Sequence, residues 1–297
     1  ARSSGWTVEV QSNVVICSRK LENCEQAAHE LEKRGVKALA VSCDVTKPAE
    51  VEAMKEAVLK KFGKVGVKYM KSEALWDCVT EADLISDRLM VSAIKKKYPD
   101  HGIISEESGS HNPDADYVWI IDPIDGTFNF SIGVPQFGVM VCLAYRGDIV
   151  LSAIDLPATK EFFFAKKGKG AFLNGKKIRC SSTKRLHNSF GVGSSSIRAR
   201  TSRFLLKLVR ASKAEDIQFG SMASMAVNAC YTACGRRDWM VALTGALHDF
   251  APVYLILKES GCKVTDMKGG PWKFGQLEMV SANAFLHKQL LKLTNDV

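Results

Sequence analysis

Two aspartates stand close together directly after an apolar run in the segment VWIIDPIDGTFNF, residues 118–130. Asp122 and Asp125 are three positions apart, and neighbouring carboxylates oppose each other's ionisation unless a cation lies between them. Mg²⁺ prefers such hard oxygen ligands, together with waters and phosphate oxygens. We therefore expect both carboxylates to face a pair of metal ions from a tight turn, part of which Pro123 fixes.

The residues around this pair add further candidates for metal and phosphate binding. Gly126 and Thr127 begin the next segment, and backbone N–H groups at the start of a helix bind anions. Glu106 and Glu107 end an upstream predicted strand, and Asp249 opens an apolar helix about 120 residues later. The alternative interpretation leaves one aspartate of the pair exposed and the other as a helix cap, with Asp249 a plain N-cap.

The elements that must position these residues are predicted from periodicity. A long helix begins after Thr80, and HGIISEESG is a short strand that leads into the two glutamates. FGVMVCLAYRG, DIVLSAIDLP and KEFFFAKKG are strands, whereas GSMASMAVNACYTACG and HDFAPVYLILKESG are helices that end at a glycine. Strands in the middle with helices on both sides indicate stacked layers of helix and sheet.

The composition is that of a globular protein. Of 297 residues, 46% are hydrophobic and 25% are charged, which suits one large domain or two modest ones. No apolar run reaches the roughly 18 residues of a membrane span, and the first residues lack the pattern of a secretion signal. Nine scattered cysteines without CxxC pairs indicate reduced thiols and no zinc site, so we expect a cytoplasmic protein.

The formal charge of +9 favours anionic partners. The lysines are dispersed in short runs that suit solvated helix faces, and no RNA-binding aromatic signature accompanies them. We expect a small-molecule phosphate as substrate, and neither nucleic acid nor a membrane as partner.

The first 48 residues differ from the rest of the chain. NVVICSR, LENCEQAAHELEKRG and KALAVSCDV predict a strand, a helix and a second strand, which together form a βαβ unit. Residues 13 to about 65 resemble a fragment of the short-chain dehydrogenases, in which residues like Arg19 and Asp44 meet the NADP phosphate and the adenine.

A working dinucleotide site is not expected in this segment. The glycine run that holds pyrophosphate is missing, since residues 1–12 contain a single glycine. The Tyr-x-x-x-Lys match, Tyr254 to Lys258, has the apolar spacing of a packed helix. We interpret residues 1–48 as a dehydrogenase-like appendage and residues 49–297 as the functional domain, with an NADP-binding reductase as the rival function of a different class.

From about residue 50 to its end, the chain resembles the inositol monophosphatase family of lithium-sensitive, Mg²⁺-dependent phosphatases. SEES stands where the family has Gly-Glu-Glu, and WIIDPIDGTFNF matches its first signature. HDFAPVYLILKESG matches the second signature with His248 in place of a tryptophan, and KSEALWDCVTEAD and AKKGKGAFLNGKKI resemble two further segments. The resemblance implies the family's layered α/β fold, a five-layer α-β-α-β-α sandwich, and a homodimer.

The resemblance also implies ligands for two to three Mg²⁺ ions. The implied ligands are Glu106, Asp122 and the Ile124 carbonyl for the first ion, Asp122, Asp125 and Asp249 for the second, and Glu106 through water, with Glu107 as an auxiliary group, for a weaker third.

The remaining implied roles concern water and substrate. The implied catalytic residues are Glu106, Thr127, Asp83 and Thr80. Thr127, oriented by Asp83 with support from Thr80, positions the attacking water, and Lys71 steadies waters near the metals. The residues implied in substrate binding are Asp125, Gly126, Thr127, Gly193, Ser194 and Asp249.

Departures from the family pattern leave the substrate open. The glutamate that the family directs at inositol is Ala242 here, which leaves space for a bulkier or second anionic group. Arg236 and Arg237 either supply positive charge to that space or are surface residues. His248 is interpreted as a packing or capping residue rather than a ligand. We expect broad phosphomonoesterase activity with inositol monophosphate first, and fructose 1,6-bisphosphatase or 3′-nucleotide phosphatase activity as the alternatives.

Overall fold

The chain divides into two compact units, residues 1–68 and residues 69–297. Among the helices that the structure describes, none is both long and apolar enough to cross a bilayer. The predicted division at residues 48 and 49 stays a prediction. The computed structural model describes residues 14–18, 20–33, 37–43, 47, 49–50, 53, 57, 67–71, 78–193 and 199–294.

The first unit contains the predicted βαβ arrangement. Its two strands are parallel and in register from Val14 opposite Ala38 to Ser18 opposite Ser42. The helix buries Cys24 and Ala28, which lie one turn apart. Arg19 and Asp44 lie outside the described residues. The elements are β1 Val14–Ser18, α1 Leu21–Glu32 and β2 Ala38–Ser42.

The longer strands of the second unit belong to one large sheet. Its strands, and the short pair that precedes them, are β3 Val67–Met70, β4 Cys78–Thr80, β5 Gly102–Ser105, β6 Gly109–His111, β7 Tyr117–Asp125, β8 Gly138–Tyr145, β9 Asp148–Leu156, β10 Glu161–Lys166, β11 Gly170–Leu173 and β12 Lys176–Lys177. The large sheet has the order β12-β11-β10-β9-β8-β7-β5-β6. Strands β5 and β7 are parallel, so both end at the same edge of the sheet.

A smaller sheet and the helices follow. The sheet has the order β14-β13-β15-β17-β16, where the strands are β13 Phe190–Gly193, β14 Gln218–Gly220, β15 Trp239–Ala242, β16 Lys263–Thr265 and β17 Met279–Ala282. The helices of the second unit are α2 Glu81–Lys97, α3 Thr127–Ser131, α4 Ala199–Glu215, α5 Met225–Ala233, α6 Leu247–Glu259 and α7 Ala284–Thr294.

Alternating side chains of β7 separate the outer helix from the inner ones. Ile121 packs with Ile94 of helix α2 on one face of the large sheet. Val118 and Ile120 belong instead to the main core, with apolar residues of α5 and α6 such as Val253. Because successive strand residues point to opposite faces, one strand serves two helix layers.

Strand β15 repeats this alternation in the smaller sheet. Met240 and Ala242 share the main core with α5 and α6, whereas Trp239 and Val241 pack with residues of α4 and α7 such as Phe204. The layers are therefore α2, the large sheet, α5 with α6, the small sheet, and α4 with α7. This arrangement confirms the predicted five-layer α-β-α-β-α sandwich.

The aspartate pair lies on an irregular strand end and not on the predicted tight turn. Asp122 is opposite Met140 and Asp125 is opposite Gly138, so β7 carries one extra residue between them. Pro123 has no N–H to donate to the ladder, and a bulge is where a strand tolerates proline. The extra residue brings both carboxylates, three positions apart, to the same end of the strand.

Candidate active site

A cavity of about 240 Å³ lies at the edge of the large sheet where β5 and β7 end. Glu106 directly follows β5, Asp122 and Asp125 end β7, and Asp249 comes from the first turn of α6. Three separate elements thus bring four predicted residues together. The cavity is lined by Lys71, Cys78, Glu106, Asp122, Ile124, Asp125, Gly126, Thr127, Phe128, Ala223, His248 and Asp249.

Asp122 is the most constrained carboxylate of the group. It is buried, its Oδ1 atom has no hydrogen-bond partner, and it can offer an oxygen within 4.8 Å of oxygens from Asp125 and Asp249. Burial raises the pKa of Asp122 well above its usual range, and the nearby charges of Glu106, Asp125 and Asp249 raise it further. A buried charged oxygen without a donor fits a cation ligand, because it is costly otherwise.

Asp125 is held by the start of helix α5. Its carboxylate accepts hydrogen bonds from the Met225 and Ala226 backbone N–H groups, both at 2.9 Å, and from the Ser224 hydroxyl. Burial and the nearby Asp249 charge raise the pKa of Asp125 to about 7, although these hydrogen bonds lower it.

Sequence reasoning missed the residues that hold Asp125. Ser224 is the N-cap of α5, where its hydroxyl oxygen also accepts from the Val227 N–H at 3.2 Å. A serine before a predicted helix is a recognisable N-cap signal. It does not reveal a contact with a residue about 100 positions earlier in the chain, because no periodicity encodes long-range pairing.

Asp249 acts as a capping residue and also belongs to the carboxylate cluster. Its Oδ2 atom accepts from the N-cap Ala246 N–H at 2.5 Å, which orients the side chain. A Cβ on Gly245 would lie 2.7 Å from that oxygen, so only glycine fits there. Burial raises the pKa of Asp249 to about 6. The two interpretations of Asp249 from the sequence are therefore compatible.

Lys71 joins the two glutamates. Its ammonium lies 2.7 Å from Glu106 Oε1 and 2.7 Å from Glu107 Oε1. Burial lowers the pKa of Lys71, but the two carboxylates raise it more, so the lysine stays charged. Burial also raises the pKa of Glu107, whose side chain is 3% exposed. The ammonium therefore neutralises part of the negative charge at this end of the cavity.

A chain of hydrogen bonds links the start of α2 to the end of β7. The Thr80 N–H and hydroxyl both donate to Asp83 Oδ2, at 2.8 and 2.5 Å. The Thr127 hydroxyl lies 3.0 Å from Asp83 Oδ1 and 2.8 Å from the Ile124 carbonyl oxygen. Burial raises the pKa of Asp83, although these hydrogen bonds oppose the shift. The Thr127 oxygen is thus fixed at the rim of the cavity.

His248 also reaches the cavity. Its Nε2 atom lies 3.8 Å from Glu106 Oε2, and it can offer a ring nitrogen within 4.8 Å of oxygens from Glu106 and Asp122. Burial lowers the pKa of His248. The cap of α6 is made by Asp249 and not by His248.

A second cavity of about 170 Å³ shares Asp125 and Asp249 with the first. Gly193 and Ala242 line it, and Ser194 lies outside the described residues. Its other described lining residues are neutral: Ser221, Ala223, Ser224, Met225, Asn228, Met240 and Thr244.

Four residues considered from the sequence have other partners. Arg236 pairs with Glu161 at 2.5 Å, and Arg237 stacks over Phe190 at 4.1 Å, so neither guanidinium is among the described residues that line the second cavity. Of the two interpretations of these arginines, the described lining of the second cavity does not support the one that places their charge beside Ala242. Tyr254 and Lys258 are one turn apart on α6 and contact each other at 2.9 Å, as in the packed helix that was predicted.

Two protein-family models match the chain, one over most of it and one over a short N-terminal segment. The model of the inositol monophosphatase family matches residues 40–297. The model of the short chain dehydrogenase family matches residues 7–68 only. The second match agrees with the resemblance of the N-terminal segment and covers less than a quarter of the chain.

Individual relatives match most of the chain. It is 33% identical to the fructose-1,6-bisphosphatase/inositol-1-monophosphatase of Thermotoga maritima over 76% of this chain and 86% of the relative. It is 36% identical to the Nus factor SuhB of Vibrio cholerae over 65% of this chain and 73% of the relative. The solved structure of Thermotoga maritima IMPase superposes with a TM-score of 0.71 at 31% identity, covering 81% of this chain and 92% of that one.

Proposed function

Because the chain belongs to the inositol monophosphatase family of phosphatases, we propose that it is a Mg²⁺-dependent phosphomonoesterase of small phosphate monoesters, with inositol monophosphate as the first substrate. The observation that carries this proposal is the convergence of Asp122, Asp125 and Asp249, with an Asp122 oxygen that is buried without a partner. Mg²⁺ takes carboxylate oxygens as ligands and completes its octahedron with waters and phosphate oxygens.

The donor set fits two metal positions. Glu106 and Asp122, with the Ile124 carbonyl, would hold one ion, and Asp122, Asp125 and Asp249 would hold the other. A third, weaker position would use Glu106 and Glu107. When bound, such ions lower the pKa of a water molecule and stabilise the charge on the leaving oxygen.

Thr127 and Asp83 would position the attacking water. The Thr127 hydroxyl would donate a hydrogen bond to Asp83, so that its oxygen would accept a hydrogen bond from the attacking water. Thr80 holds Asp83 in place through two hydrogen bonds. The Gly126 and Thr127 backbone groups, at the rim of the same cavity, would bind the phosphate.

Lys71 would regulate the charge at the glutamates. Its ammonium holds Glu106 Oε1, so the other oxygen, Oε2, is turned toward the cavity that His248 and Asp122 share. The lysine would also orient waters beside the ions, because an ammonium has three donors and only two are used by the glutamates.

The second cavity would hold the alcohol part of the substrate. The described residues that line it carry no basic side chain, which favours a neutral leaving group such as a polyol over one with a second phosphate. Ala242 offers no acceptor for ring hydroxyls, so we expect selectivity among monophosphates to be low. The Thermotoga relative is named both a fructose-1,6-bisphosphatase and an inositol-1-monophosphatase, so fructose 1,6-bisphosphate is the second candidate substrate.

A substrate panel tests this proposal. We would compare kcat/KM for inositol 1-phosphate, fructose 1,6-bisphosphate, 2′-AMP and 3′-phosphoadenosine 5′-phosphate with Mg²⁺, in wild type and in Ala242→Glu. We expect the wild type to hydrolyse inositol 1-phosphate with a kcat/KM that exceeds those of the other substrates by less than about a hundredfold, near 2.7 kcal/mol. The Ala242→Glu variant should increase this preference. No release from any monoester, together with tight NADPH binding by fluorescence, would instead support the reductase.

Three further features remain predictions. The homodimer and the inhibition by Li⁺ are proposed from family resemblance, and the cytoplasmic location from cysteine usage. The described cysteine side chains are all free thiols.

A further inference from the structure

His248 stands where the second signature of the family has a tryptophan, and it faces the carboxylates. We infer that His248 Nε2 is a metal ligand together with Glu106 and Asp122, and that this position prefers Mn²⁺ and similar transition ions over Mg²⁺. The inference rests on the metal site of the proposed function and names the ion preferred at one of its two positions.

The distances suit a shared ion. The Nε2 atom of His248 lies 3.8 Å from Glu106 Oε2, and ligand atoms of Glu106, Asp122 and His248 all lie within 4.8 Å of one another. Two donors bound at about 2.1 Å to one octahedral ion are roughly 3.0 Å apart when adjacent and about 4.2 Å apart when opposite. The observed separation of 3.8 Å exceeds the adjacent value by about 0.8 Å, so one side chain must move by that much for the two atoms to share an ion.

Direct contact does not explain the arrangement. A separation of 3.8 Å is too long for a hydrogen bond between the imidazole and Glu106. Glu106 already has a close cationic partner, because Lys71 lies 2.7 Å from its other oxygen, Oε1. A bridging cation would satisfy both the ring nitrogen and the free oxygen of Glu106.

A second observation points to the same ligand. Asp122 is 1% exposed, and its Oδ1 atom has no hydrogen-bond partner. It lines the same cavity as His248 and Glu106. An orphaned carboxylate oxygen beside an imidazole and a second carboxylate is a donor set that lacks only its ion.

The chemistry of the donor set decides which ion. Mg²⁺ binds oxygen ligands and keeps much of its water. Imidazole suits transition ions, whose affinity for mixed nitrogen and oxygen sites rises from Mn²⁺ through Co²⁺ toward Zn²⁺. Replacing an indole, which cannot bind a metal, by an imidazole therefore shifts the preference away from Mg²⁺.

The test uses Mn²⁺ on the full chain. Electron spin-echo spectroscopy of the Mn²⁺-loaded protein should show ¹⁴N coupling from an imidazole. Selective labelling of histidine with ¹⁵N should replace this signal with ¹⁵N coupling. His248→Asn and His248→Trp should lose that coupling, whereas the exposed control His111→Gln should keep it. In calorimetric titrations, His248→Asn should lower Mn²⁺ affinity about tenfold and Mg²⁺ affinity less than about threefold.

The outcomes separate this inference from the proposed function. Absence of histidine coupling in the wild type, or equal loss of Mn²⁺ and Mg²⁺ affinity in His248→Asn, would overturn the ligand assignment even if the protein releases phosphate. Histidine coupling that disappears only in the His248 variants would support it even if no phosphate ester is hydrolysed, in which case the proposed function alone fails.

Discussion

At the residue scale, Asp122 is buried and its Oδ1 atom has no hydrogen-bond partner among the described residues. We predict that Asp122→Asn lowers Mg²⁺-dependent phosphate release at least about tenfold, or 1.4 kcal/mol of barrier. The same change should raise the free energy of unfolding of the metal-free protein by about 1–3 kcal/mol, because it replaces a carboxyl group whose ionisation is opposed by burial and by neighbouring carboxylates with a neutral amide. Phosphate release and urea denaturation measure the two effects.

The control for this variant is Asp114→Asn, an exposed aspartate in the same sheet region. It should change neither quantity. An Asp122→Asn protein that is folded yet keeps more than about a tenth of the rate would rule out a bridging role for Asp122.

The raised pKa values of the carboxylates predict a pH dependence of stability. The pKa of Asp125 is about 7 in the folded state, above its ordinary 3.8, so the folded protein still holds a proton that the unfolded chain has released. The free energy of unfolding of the metal-free protein should therefore fall as pH rises from about 4 to about 7 and level off above pH 7, and Asp249, whose pKa is raised to about 6, adds to the fall below pH 6. Saturating Mg²⁺ should remove this slope.

The pH window matters because His287 acts in the opposite direction. Burial lowers the pKa of this histidine to about 4, so its contribution to stability is lost as pH falls below about 6.5. Above that pH it is neutral in both states. Urea titrations at several pH values, with and without Mg²⁺, measure the slope, and a metal-free slope of zero or of positive sign contradicts the account.

At the element scale, strand β7 ends at Asp125, the second carboxylate of the pair, and helix α3 begins at Thr127, so only Gly126 connects them. Gly126 makes this connection at φ 83°, and a Cβ there would lie 2.9 Å from the Gln136 carbonyl oxygen. We predict that Gly126→Ala lowers the free energy of unfolding by about 2–3 kcal/mol and reduces catalysis, because the strain displaces Asp125 and Thr127.

Gly133→Ala is the matched control. Gly133 has a similar φ of 79°, but a Cβ there would meet nothing within 4 Å. It should cost about 1 kcal/mol, the backbone term alone, and leave catalysis intact. Equal destabilisation by the two substitutions in urea would show that the contact with Gln136 is unimportant.

Local patterns predicted the elements better than the junctions between them. Periodicity placed α2, α6 and the strands of the large sheet, and the short motifs placed Asp122 and Asp249 at the cavity. The bulge at Pro123 and the hydrogen bond from Ser224 to Asp125 were missed. Each depends on how separate segments of the chain pair, which the local sequence does not encode. The sequence left two interpretations of Arg236 and Arg237 open, since a charge alone does not say which partner it will meet.

At the scale of the whole molecule, two family matches divide the chain unevenly. The phosphatase match begins at residue 40 and the dehydrogenase match ends at residue 68, so they overlap. The described carboxylates of the cavity all lie in residues 69–297. We predict that a shortened chain beginning at Pro48 keeps its phosphatase activity, because no proposed site residue precedes Lys71.

Steady-state phosphate release by the shortened and full chains, both checked by circular dichroism, measures this effect. A shortened protein that is folded but inactive would mean that the N-terminal segment shapes the site, and the interpretation of residues 1–48 as an appendage would then be abandoned. Lower stability with unchanged kcat would agree with the prediction.

The central claim is that carboxylates from β7 and α6 bind Mg²⁺ for phosphate ester hydrolysis. The most direct test is phosphate release from inositol 1-phosphate by metal-stripped protein titrated with Mg²⁺, in wild type and in Asp249→Asn. We predict no release without metal, saturable activation in the wild type, and a loss of at least about a hundredfold in Asp249→Asn, near 2.7 kcal/mol. Equal rates in the presence of a chelator, or full activity of a folded Asp249→Asn protein, would contradict the claim.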